Sequence, residues 1–159
     1  MKITKVSPSV VVTPEYQITG GSTKRYTLGK WLEIEVAFDT APEDIDELSF
    51  HYSIMVNRKL LDGDVTLVDI MKGRDHYSVM YISPHAIAKL LQGRPLTNAD
   101  VQNVWVQISH QGQTLDQAAV RPAPQPNVEH VTGMVLNKMQ TPFAPLYWDR
   151  YEAIKPDTH

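Results

Sequence analysis

The alternation of apolar and polar positions is strongest over residues 31–56. In residues 31–38, Leu32, Ile34, Val36 and Phe38 share one face of an extended chain and Glu33 and Glu35 the other, because successive strand side chains point to opposite sides. In residues 48–56, Leu48, Phe50, Tyr52, Ile54 and Val56 alternate with Ser49, His51 and Ser53. One-sided alternation of this kind predicts antiparallel sheets with one wet face, since strands of a parallel sheet are apolar on both. Backbone entropy offsets what the pair gains by burying one face, so a second apolar layer must cover it.

The same reading extends along the chain. Residues 3–18 are β-prone, with Pro8 and Pro14 framing three valines, and predict an edge strand that switches sheets at its prolines. Gly20 and Gly21 open a loop. Residues 39–47 carry five acidic residues and Pro42, a solvated connection with at most a helical turn. Asp62-Gly63 predicts a tight hairpin turn, with strands at 65–69 and 76–82 after it. On the latter strand Tyr77, Val79 and Tyr81 oppose Ser78, Met80 and Ile82, and the pattern does not choose the buried face.

Ser83 as N-cap, Pro84 at the first helical position and Ile87, Leu90 and Leu91 at helical spacing predict a short helix crossing between sheets and ended by Gly93. A hairpin of residues 103–109 and 114–120 follows, with Val104, Val106 and Ile108 inward and Trp105 and Gln107 outward. The total is about seven strands at spacings expected of a mainly β, two-sheet sandwich. Arg121-Pro-Ala-Pro-Gln-Pro126 reads as a polyproline-type linker. The division is therefore a sandwich over residues 1–121, a linker over 122–127 and an aromatic tail over 128–159 that packs on the sandwich. Within the tail, residues 131–136 offer a further strand around Gly133, and 146–154 a short C-terminal helix.

Composition narrows the function classes. A hydrophobic share of 42% and a charged share of 21% in 159 residues describe an ordinary globular chain. The net charge of −3, with dispersed lysines and arginines, gives no field for gripping nucleic acid. With no cysteine there is no disulfide framework, thiolate nucleophile or zinc ribbon. No apolar run is long enough for a transmembrane helix, and no leader is present in this chain.

Candidate chemistry is sparse. The six histidines, at 51, 76, 85, 110, 130 and 159, stand singly without metal-ligand spacing. Asp62-Gly63-Asp64 lacks the closing glutamate of a calcium loop, and no serine sits in a nucleophile elbow. Asp149 and Glu152 read as the solvated side of the tail helix. The expectation is therefore no enzyme, no cofactor and no metal site. The positive signal is aromatic: Trp31, Trp105, Tyr147, Trp148 and Tyr151 form the candidate interaction surface.

The segment Leu136-Asn-Lys-Met-Gln-Thr-Pro-Phe-Ala-Pro-Leu-Tyr-Trp-Asp-Arg-Tyr151, following an all-β body, resembles the small pilus-like proteins encoded beside type IV pilus genes in mucin-degrading Akkermansia-type bacteria. The resemblance implies an immunoglobulin-like sandwich without a catalytic site. Type IV pilins carry a long apolar N-terminal helix that this chain lacks, so the resemblance points to a pilus-associated protein rather than a pilus subunit. The expected function is a non-enzymatic cell-envelope or surface protein, placed there after export with the cytoplasm left open. It binds a protein partner or itself through a sheet edge or the aromatic tail. The alternative is a carbohydrate-binding module or small β-sandwich hydrolase, with exposed aromatics stacking on sugars.

Overall fold

The computed structural model of the chain describes residues 1–15, 29–147 and 149–156. Among these residues nine strands form two sheets: β1 (Lys2–Val12), β2 (Lys30–Asp39), β3 (Ile45–Val56), β4 (Lys59–Ile70), β5 (His76–Ile82), β6 (Val101–His110), β7 (Gln113–Ala119), β8 (His130–Thr132) and β9 (Val135–Asn137). The first sheet has the order β1-β2-β5-β9 and the second β7-β6-β3-β4-β8. These orders match the A-B-E-D and G-F-C-C′-C″ sheets of a variable-type immunoglobulin sandwich. The D and C″ positions, however, are filled by the last two strands of the chain, and β8 runs parallel to β4.

The predicted alternation sets the core. Leu32, Ile34, Val36 and Phe38 of β2 and Leu48, Phe50, Tyr52, Ile54 and Val56 of β3 are all buried between the sheets. Tyr52 keeps its hydroxyl satisfied there by donating to Ser78 Oγ at 2.7 Å. Helix α1 (Pro84–Leu91) carries the chain from the first sheet to the second. Its Ser83 cap accepts from the Ala86 N–H, Ile87, Leu90 and Leu91 are buried, and the chain leaves through left-handed Gln92 and Gly93.

Three local expectations give way to tertiary context. The hairpin turn between β3 and β4 is Asn57-Arg58, both at positive φ (46° and 61°), as a two-residue primed turn requires. Asn57 is anchored there by its Nδ2 donating to Leu90 O at 2.7 Å. Asp62-Gly63 instead lies inside β4, opposite Ser53 and Tyr52. Glycine is needed at 63 for close approach, because a β-carbon there would sit 2.6 Å from Val135 Cβ of β9. Second, β1 pairs with β2 continuously through Pro8, with a bulge at Ile3/Lys5, and does not switch sheets. The expected loop at Gly20 and Gly21 lies outside the described residues.

Third, the described residues of 146–154 form no helix. Tyr147 turns the chain at φ 55°, and the backbone beyond it is claimed by sheet edges: Glu152 N donates to Tyr77 O, Val68 N to Ala153 O and Lys155 N to Thr66 O. A helix this short is marginal in water, and ladder bonds to existing strands outcompete it.

Residues 128–156 thus lace one side of the sandwich. β8 pairs with β4 at Leu60, Leu61 and Asp62; the chain turns at Gly133 (φ 90°), and β9 pairs with β5 at Met80, Tyr81 and Ile82. After turns across the outer face of the first sheet, Tyr151 bridges to Tyr77 of β5 and Ile154 to Leu67 of β4. The Pro-rich stretch before the lacing crosses the outer face of the second sheet as a strap. It is held by Asn103 Nδ2 donating to Arg121 O (3.0 Å) and Trp105 Nε1 to Ala123 O (2.7 Å).

Candidate interaction surface

Strand β5 has no wet face, because Val79 and Tyr81 on its outer side are as buried as Met80 and Ile82 inside. The lacing covers them. Phe143 stacks on Tyr81 (centroids 4.5 Å apart, planes 5° apart) and meets Trp31 edge-on at 5.4 Å. Trp31 is accordingly buried, 7% exposed, with its Nε1 donating to Thr13 Oγ1 at 2.9 Å. It is a seat for the tail rather than part of a surface.

Polar pins surround this aromatic seat. Arg150 donates two hydrogen bonds to Glu35 (Nη2 to Oε1, 2.7 Å; Nε to Oε2, 3.2 Å), the planar fork that suits a carboxylate. Its guanidinium also lies 3.9 Å from the centroid of the Tyr77 ring. The Tyr151 hydroxyl donates to Glu35 Oε2 at 2.7 Å. His76 Nδ1 pairs with Glu152, and Lys155 Nζ with Glu47 at 2.9 Å. Lys138 is buried and donates to Ala144 O at 2.8 Å, closing the loop that carries Phe143.

Between β1 and the laced segment lies an open groove of about 450 Å³ lined by Val11, Val12, Glu33, Leu146, Tyr147 and Tyr151, among others. Val12 (62% exposed) and Tyr147 (59%) present apolar surface to solvent beside it. Two carboxylates meet opposite fates in this groove. Burial raises the pKa of Glu33, whose hydrogen bond from the Tyr81 hydroxyl only partly compensates. Burial acts the same way on Glu35, but the bonds from Arg150 and Tyr151 outweigh it and hold that carboxyl below its ordinary range.

A second groove, of about 420 Å³, runs between the strap and the outer face of β6 and β7, with half-buried Trp105, Gln107, Gln117, Pro122, Pro124 and Gln125 among its walls. At its end Asp62 accepts from Ser53 Oγ (2.7 Å) and approaches His130 Nδ1 (2.6 Å) and His51 Nε2 (3.3 Å). His51 Nδ1 in turn lies 2.7 Å from Asp64. Ser53, His51 and Asp64 therefore stand in the order of a nucleophile relay, yet Ser53 is 1% exposed and gives its proton to Asp62. Among the described residues no group of His, Cys, Asp and Glu is arranged to hold a metal ion.

Of the predicted surface residues, the structure brings Tyr147 and Tyr151 to one groove and Trp105 to the other, and buries Trp31. Trp148 lies outside the described residues. Sequence reasoning left Glu33 and Glu35 on the polar face of their strand and gave Arg150 no role. The signal for them was the apolar outer face of β5, which demanded a cover over the same face as Glu33 and Glu35.

A protein-family model matches residues 1–158. The chain belongs to that family. Among solved structures, a crystal structure of a protein from Akkermansia muciniphila matches with a TM-score of 0.82 at 21% identity, covering 98% of this chain and 93% of that one. At that identity the likeness shows the shared fold, and it agrees with the mainly β, two-sheet architecture. No curated protein matches the sequence. Among the described residues no helix is long and apolar enough to cross a membrane.

Proposed function

We propose that the protein is a non-enzymatic, pilus-associated component of the cell envelope that acts by binding another protein at the groove between β1 and the laced segment. The observation carrying this reading is the exposed apolar pair Val12 and Tyr147, flanking a groove whose base is held rigid by the Glu35–Arg150–Tyr151 network. Rigid aromatic anchors with buried polar support are where interface energy concentrates. The fold shared with the Akkermansia protein supports the family setting from which the pilus association comes.

The test is site-specific photo-crosslinking from Tyr147 in intact cells of the source organism, combined with fractionation. A discrete adduct in the envelope fraction that disappears with Val12→Asp is the expected result. A cytosolic protein, or no adduct from Tyr147, overturns the reading.

The strap groove favours a second reading, carbohydrate binding. Trp105 is half-buried beside Gln107, Gln117 and Gln125, an aromatic face with amide hydrogen-bonding groups around it. A glycan array on which the protein binds and Trp105→Ala does not would select this reading over the first.

A further inference from the structure

The laced segment bonds to the body of the sandwich, and the ladder, ring and ion-pair partners described above lie in residues 31–82. β8 pairs with β4 and β9 with β5; Phe143 sits on Trp31 and Tyr81, Arg150 on Glu35, Ile154 beside Leu67. The fit is specific to this sequence, since Gly63 leaves room for Val135 where any β-carbon would collide. The strap joining segment to body contributes no ladder of its own between Ala119 and His130. Without the segment, the edges of β4 and β5 would be unpaired and Trp31, Val79 and Tyr81 uncovered.

A tethered element with a self-contained docking surface and a separable linker is what two copies exchange when they swap domains. We propose that the laced segment is exchangeable, and that the partner it fits is a second copy of this chain: residues 128–156 of one molecule lace the β4/β5 side of another. The strap has the reach for it. From β7 to β8 it crosses four inter-strand steps, about 19 Å at ~4.8 Å each, and ten residues of extended chain span up to ~33 Å. The surplus lets the strap leave its own sheet. Concentration decides between the arrangements, because the tethered segment competes at an effective concentration on the order of millimolar. Exchange is therefore favoured where the protein is crowded into an assembly. This proposal is independent of the groove reading, since the groove forms equally with a segment from either copy.

The chain has no cysteine, so introduced thiols report directly. Val68 and Ala153 face each other across the lacing, Val68 N donating to Ala153 O at 2.9 Å, and hydrogen-bonded antiparallel pairs stand close enough for a disulfide. One preparation carries Val68→Cys and another Ala153→Cys. Mixed, held in mild denaturant, returned to native buffer at rising concentration and oxidised, they are compared with a Met71→Cys/Ala153→Cys mixture, in which the first thiol is exposed and off the lacing. The expected result is a disulfide-linked heterodimer in the Val68/Ala153 mixture, increasing with concentration and well above the control. Equal yields in the two mixtures at every concentration overturn the proposal. Both substituted positions are partly or fully exposed, so folding is preserved. A second variant deletes residues 121–126: the four remaining strap residues reach only ~14 Å, short of the crossing. It is expected to elute as an oligomer; a monomer counts against exchange.

Discussion

The two long sides of this sandwich solve the same problem in different ways. On one, the edges of β4 and β5 are covered by the chain's own C-terminal segment, ladder bond by ladder bond. On the other, β1 and β7 have no further strand paired to them among the described residues and are guarded instead. β1 carries Pro8, lysines at 2 and 5 and a bulge at Ile3/Lys5. On β7 the Asp116 carboxylate accepts from both Gln117 N (2.9 Å) and Ile3 N (2.8 Å), placing a charge on the edge. Proline, bulges and charge deter strand addition, whereas a tethered strand abolishes the vacancy. The contrast teaches that binding by edge addition is disfavoured on both sides, which leaves the groove beside the lacing as the surface to test.

The comparison breaks most visibly if the aromatic seat is removed. Phe143→Ala is expected to cost about 3–5 kcal/mol, as for large buried rings generally, read as a shift in denaturant midpoint with the segment becoming protease-sensitive. A loss below about 1 kcal/mol would mean that the lacing adds little to the fold. Gly63→Ala comes next. Its β-carbon meets Val135, so overpacking of about 1–3 kcal/mol is expected, with faster hydrogen exchange confined to β8 and β9. Uniform acceleration across β2 and β3 would place the strain in the core instead.

Glu35→Gln, which breaks the Arg150 fork at a half-exposed site, is expected to cost about 1 kcal/mol or less. Its pH signature is sharper than its size. Because the Glu35 carboxyl titrates below its ordinary 4.5, its contribution is present above that value and is lost as pH falls through the depressed one. Glu33 has the opposite sign: its raised pKa means that ionisation in the folded state costs stability as pH rises through it, so Glu33→Gln is expected to gain slightly at neutral pH. Urea midpoints between pH 3 and 7 separate the two, and identical slopes for both variants would contradict the assignment. Smallest of all, Leu115→Lys on the exposed face of β7 is expected to change stability by no more than about 0.5 kcal/mol. A larger loss would show that the guarded side bears structural weight.

The correspondence between sequence and structure follows the range of the interactions involved. Alternation in β2, β3 and β6 fixed their inward faces because a strand's period is a local property of the backbone, and every residue named for the core face there is buried. Ser83-Pro84 likewise announced α1 through capping that needs only its own turn. What the sequence could not carry was pairing across long separations. Asp62-Gly63 has the dipeptide of a hairpin, yet Asn57-Arg58 makes the turn and Gly63 serves a contact with Val135, 72 positions away. Residues 146–154 hold the spacing of an amphipathic helix, but the vacant edges of β4 and β5 offer ladder bonds that no local propensity reveals. By itself the sequence determined a two-sheet sandwich with an aromatic tail; only the tertiary structure decided that the tail becomes two of its strands, because an uncovered edge and an unpaired segment each lower their free energy by finding the other.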